Sequence, residues 1–149
     1  MSTASIPLRQ LSGLPATPAR LSESALVIVD AQNAYRGGVM QLEGVEPALD
    51  ECARLLAERT LRESPDRDQR LVALFRRAAS RSPDAADLET LRRGLDALVA
   101  RYRESPTDAE ELFRQGASPV ASDLDARELA AWMVVASAIL NLDESLVRP

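Results

Sequence analysis

The sequence predicts a mainly α-helical chain of about five helices, preceded by one β-strand with no partner in the same chain. Three observations carry this. The composition is 46% hydrophobic but only 3% aromatic, so its apolar content is mostly Ala, Leu and Val, as expected of a helix-rich protein. Apolar residues recur at helical spacing through most of 46–140. The one run that reads as a strand buried on both faces, Ala25 to Val29, finds no second convincing strand, since "SPVAS" is short and carries a proline.

Residues 1–24, rich in Ser, Pro, Thr and Ala, read as a flexible arm. The run "ALVIVD" follows and "NAYRGG" breaks it. Val45, Leu49, Cys52, Ala53 and Leu56 then recur at helical spacing around Pro47, which predicts a helix over roughly 46–62. Ser-Pro appears at 64–65, 82–83, 105–106 and 118–119, and the first three each precede a helical pattern with acidic residues in its first turn. Serine can cap a helix while proline takes its first position, so these dipeptides read as start signals. The helices they open carry Leu71, Val72, Phe75 and Ala78; Leu88, Leu91, Leu95, Leu98, Val99 and Tyr102; and Leu112 and Phe113. A last helix begins near Asp125, with Glu128 at capping-box spacing, and runs through Leu129, Trp132, Met133, Ala136, Ile139 and Leu140. The expected organisation is an arm over 1–24, a strand–loop–helix over 25–62 and a helical domain over 64–149.

Charge and residue usage remove several kinds of chemistry. The net charge is −5 and the pI near 4.8, with no basic face or tail, which argues against nucleic acid as a partner. All 18 basic residues are arginine and there is no histidine. A Schiff-base lysine, a histidine base and a histidine metal ligand are therefore excluded. Cys52, the single cysteine, cannot form an internal disulfide or a zinc site, and it reads as a small core residue. The first residues hold no continuous apolar stretch of signal-peptide type. The most apolar run, Ala130 to Leu140, falls short of the ~20 residues of a membrane span. No membrane association and a cytoplasmic location are expected.

The stretch "SALVIVDAQNAYRGGVMQLEGVEPALDECARLL", Ser24 to Leu56, resembles the first strand, loop and helix of the isochorismatase-like cysteine hydrolase family, which includes nicotinamidase-type amidases on a Rossmann-like fold. The resemblance implies an Asp-Lys-Cys triad, with Asp30 at the aspartate position and Gln32 and Tyr35 at loop positions near the pocket. Ala34 stands where an acidic residue is common in the family. The chain has no lysine, and Cys52 falls on the apolar face of the first helix instead of at the end of a later strand. By its own chemistry, Asp30 also reads as a solvated strand-end carboxylate.

From about Ala53 to Pro149, "LAERTLRES", "LFRRAASRSPDAADLETL" and above all "ELAAW" followed by "LNLDE" resemble the C-terminal domain of unknown function of large planctomycete cytochrome-c-like proteins. That resemblance implies helices and an exported, haem-protein context, while this chain has no Cys-x-x-Cys-His for covalent haem. Together the two resemblances imply a chimera joined within a helix near "CARLLAERTLRES". Trp132 reads as a core anchor or, alternatively, an exposed interaction anchor. Asp143 and Glu144 read as a solvated helix end, and Arg76, Arg77, Arg92 and Arg93 as surface charges that pair with nearby acids.

The expected function is a non-catalytic helical module acting through protein contacts, with no cofactor. The partner is another protein or a second copy that completes the lone strand. The alternative is an isochorismatase-like hydrolase, either truncated or completed by another chain. A third reading, periplasmic association with electron-transfer proteins, rests on family context alone.

Overall fold

The computed structural model describes Arg36, residues 43–114 and residues 119–142. It holds five α-helices and, among the described residues, no strand: α1 (Val45–Glu63), α2 (Arg67–Ala79), α3 (Ala85–Glu104), α4 (Pro106–Arg114) and α5 (Ala126–Leu140). The expected mainly helical class is the one observed. The arm over 1–24 and the strand over 25–30 lie outside the described residues. So do Asp143 and Glu144, while residues 119–122 of "SPVAS" are irregular.

The helix starts correct part of the sequence reading. Ser64 and Ser82 do not cap; aspartates two residues further on do. The Asp66 carboxylate accepts from the Gln69 N–H at 2.7 Å. Asp84 and Asp87 form a reciprocal capping box, with bonds of 2.8 and 3.0 Å. Proline at 65 and 83 favours extended backbone in the residue before it, seen at Ser64 with φ −150° and ψ 144°, and the carboxylates behind it are strong caps. Only Pro106 takes the first helical position as expected. At α5 the Asp125 carboxylate accepts from the N–H groups of Arg127 and Glu128 at 2.9 and 3.1 Å. Gly44 leads into α1 with φ +78°, a conformation that suits glycine.

Helix α5 is the hub. Its sequence, "ARELAAWMVVASAIL", is apolar on nearly every side, and it packs against each of the other four helices. Leu129, Ala130, Ala131, Trp132, Met133, Val135, Ala136 and Ile139 are all buried. The contact between α1 and α5 is the most extensive among the described helices. There the fully buried Ala53, Ala57 and Thr60 of α1 allow close approach, and the Thr60 hydroxyl is satisfied by the Leu56 carbonyl at 2.8 Å. Leu61 of α1, Leu71, Leu74 and Phe75 of α2, Leu95 and Tyr102 of α3 and Ala109 of α4 complete the buried cluster among the described residues. No helix among the described residues is long and apolar enough to cross a membrane.

Arginine forks tie the helices at their edges. The Arg92 guanidinium grips Asp68 through two bonds of 2.8 and 2.7 Å, and Arg67 reaches Asp96 at 2.6 Å, so α2 and α3 are joined twice. Arg77 pairs with Glu63, and Arg62 with Asp123 at 2.9 Å. Arg70 does more: it donates to the carbonyls of Leu61, at 2.9 Å, and of Ser64, pairs with Glu128 at 3.1 Å, and lies 5.9 Å from the Trp132 ring centroid. One side chain thereby satisfies carbonyl groups at the end of α1 and covers the largest residue of α5.

The hydrogen bond from Arg127, followed by the backbone N–H of Glu128, holds the Asp125 carboxyl down to about 2. Because this value lies below that of the unfolded chain, its stabilisation is present at neutral pH and is lost as pH falls through the ordinary carboxylate range toward 2. Nearly half of the side chain is exposed, so solvent screening keeps the charge contribution small and the cap dominates. Asp125→Ala is expected to cost about 1 kcal/mol at neutral pH, and Asp125→Asn, which keeps an acceptor, clearly less. Urea denaturation of the three proteins at neutral pH and near pH 2 checks this, and the differences should shrink in acid.

Candidate functional site

A shallow concavity lies where α4 and the C-terminal half of α5 meet the first turns of α1. Leu112, Met133, Val134 and Ala138 give it an apolar lining, and Asp50, Ser137 and Asn141 supply its polar atoms. It is open on one side, with a volume of about 280 Å³. Local sequence explains its shape. The small side chains Ser137 and Ala138 lie where a larger residue would fill the space.

The charges sit at one end. Arg36 donates from Nε and Nη2 to the two carboxylate oxygens of Glu46, at 2.6 and 2.8 Å, and from Nη1 to the Asn141 Oδ1 at 2.7 Å. This clip joins the segment before α1 to the end of α5. Its hydrogen bond holds the Glu46 carboxyl below its usual range. Asp50, one turn further along α1, behaves oppositely. Burial pushes its pKa up and the Glu46 charge adds to this, with Arg36 only partly opposing.

Other residues singled out from the sequence fall elsewhere. Trp132 is 1% exposed and belongs to the core; the alternative of an exposed interaction anchor does not fit its position. Cys52 is half-buried, not a core residue, and burial followed by the Glu51 charge raises its thiol pKa. It is therefore a weak nucleophile at neutral pH. Asp30, Gln32 and Tyr35 lie outside the described residues. Arg77 and Arg92 pair across helices as described above, and Arg93 lies 3.6 Å from Glu89. Among the described residues no group of three or more carboxylates and thiols is placed to hold a metal ion.

No motif or spacing in the sequence singles out Arg36, Asp50 or Asn141. One indirect signal was available: Glu46 and Asp50 are like charges four apart on one helix face, an arrangement that is unfavourable alone and implies a cation from elsewhere. Comparison of the chain with protein families, curated proteins and solved structures finds no match.

Because the fold raises the Asp50 pKa, ionising Asp50 opposes folding: stability should decline as pH rises through and above the usual carboxylate range. Asp50→Asn is expected to raise the melting temperature at neutral pH and to leave it nearly unchanged near pH 3. A lower melting temperature for Asp50→Asn at neutral pH would mean that the carboxylate has a stabilising partner.

Proposed function

We propose that this chain is a non-catalytic helical module that acts through protein contacts, with the groove between α1, α4 and α5 as the contact surface. The groove itself supports this reading. Its volume of about 280 Å³ is below the roughly 300–1,000 Å³ of small-molecule sites, and its floor is aliphatic. An extended apolar peptide segment, which buries a few side chains and leaves its backbone at the open face, fits it better than a substrate. The net charge of −5 supports a protein partner over nucleic acid, and the proposed setting is the cytoplasm.

A second reading rests on "ALVIVDAQN": an isochorismatase-like hydrolase fragment, fused to a helical domain of the planctomycete type, that contributes Asp30 to a site completed by another chain. It requires that hydrolysis of small amides be detectable in the presence of that chain and vanish in Asp30→Ala.

Sedimentation of the full chain over a range of concentrations tests the first reading. Self-association that sets in with concentration and is abolished by Ala138→Trp is the expected result; Ala138 is exposed, so a tryptophan there fills the groove without entering the core. Association that Ala138→Trp leaves intact, or a strictly monomeric chain, would contradict it.

A further inference from the structure

Among the described helices, α4 is the one most lightly held. Of its 9 residues only Ala109 is buried, and its two large apolar side chains, Leu112 and Phe113, are half-buried. By contrast α2 places Leu71, Leu74 and Phe75 in the core, and α3 places Leu95 and Tyr102 there. We propose that α4 is a lid, which releases from α3 and α5 as one unit while the other four helices stay folded.

Three observations carry this. The first is burial. The free energy of opening a segment follows the apolar surface it withdraws from water, and α4 withdraws one methyl group fully and two large side chains in part. The second is length. An isolated helix becomes even marginally stable only at roughly 12–15 residues, so α4, once off its neighbours, has no means of staying helical. Release and unwinding are therefore one event. The third is the polar tie. Arg101 to Asp108, at 3.1 Å, is the one ion pair that joins α4 to another helix among the described residues, and its two side chains are 63% and 37% exposed. Such a pair is weak and screened by salt. Helices α2 and α3, in comparison, are joined twice, by Arg92 to Asp68 and Arg67 to Asp96.

The remainder has what it needs to stay closed. Helix α5 keeps its contacts with α1, α2 and α3, and none of these passes through α4. Release also changes the surface. Leu112 is the α4 residue that lines the concavity, so opening removes one wall and uncovers the part of α5 that α4 contacts. The lid does not depend on what that surface binds, and its test reads opening alone.

Thiol labelling of the full chain tests it. With Cys52→Ala removing the native thiol, a single cysteine is introduced as Ala109→Cys on α4 or as Ala136→Cys on α5, positions that are 1% and 0% exposed. Each variant is then reacted with a small water-soluble thiol reagent. Ala109→Cys should be labelled about a hundredfold faster or more, and its rate should barely respond to low urea, whereas that of Ala136→Cys should climb steeply. Adding Asp108→Asn should speed labelling of Ala109→Cys several-fold at low salt, and high salt should remove that difference. Equal labelling rates at the two positions would overturn the inference, since α4 would then open only with the whole fold. Amide exchange of the unaltered chain gives a reading that needs no variant: amides from Glu110 to Arg114 should be protected about a hundredfold less than those from Leu95 to Val99 of α3, and equal protection would likewise overturn it.

Discussion

The described helices are arranged around the need to cover α5. A helix of 15 residues that is apolar on nearly all its faces cannot remain in water, and each of the other helices lies against it. The amphipathic helices α2 and α3 cover part of its surface, α1 approaches closely through alanines, and short α4 closes only part of the remainder. The groove lies where α1, α4 and the C-terminal half of α5 meet.

The second organising feature is the exclusive use of arginine. A guanidinium offers donors in a planar fork, so one side chain can bond two oxygens of a carboxylate or bridge a carboxylate and a carbonyl. Arg92, Arg36 and Arg70 do this in turn, joining α2 to α3, the N-terminal segment to both α1 and α5, and the end of α1 to Trp132. Arg54 is the extreme case. It is 3% exposed and lies between Glu51 and Glu58 on its own helix. No buried side-chain nitrogen or oxygen among the described residues lacks a partner, and loss of one member of such a group would leave a buried charge uncompensated.

Much of the helical part was legible in the sequence, because period and caps are local properties. The α5 pattern from Leu129 to Leu140 and the Asp125 cap fall as expected, and the Leu95 and Tyr102 positions of α3 are indeed buried. The starts of α2 and α3 were misplaced by two residues, since Ser-Pro sets extended backbone before an aspartate cap and does not cap by itself. The apolar face of α1 was only partly correct: Ala53 is buried, but Val45, Leu49 and Cys52 are half-buried, whereas Ala57, Thr60, Leu61 and even Arg54 are deep. Burial of alanine and of a paired arginine depends on what packs opposite, which a one-dimensional pattern does not contain. The groove was least legible of all. Arg36, Glu46 and Asn141 meet across a sequence separation of 105 residues, and no spacing rule joins them.

A helix required by every other element should be the last to open. Native-state amide hydrogen exchange across the chain measures this most directly, residue by residue. Amides from Leu129 to Ile139 should exchange only through global unfolding, with one shared free energy that no other helix exceeds. Exchange of α5 at a clearly lower free energy than α1 or α3 would show that the fold does not depend on α5.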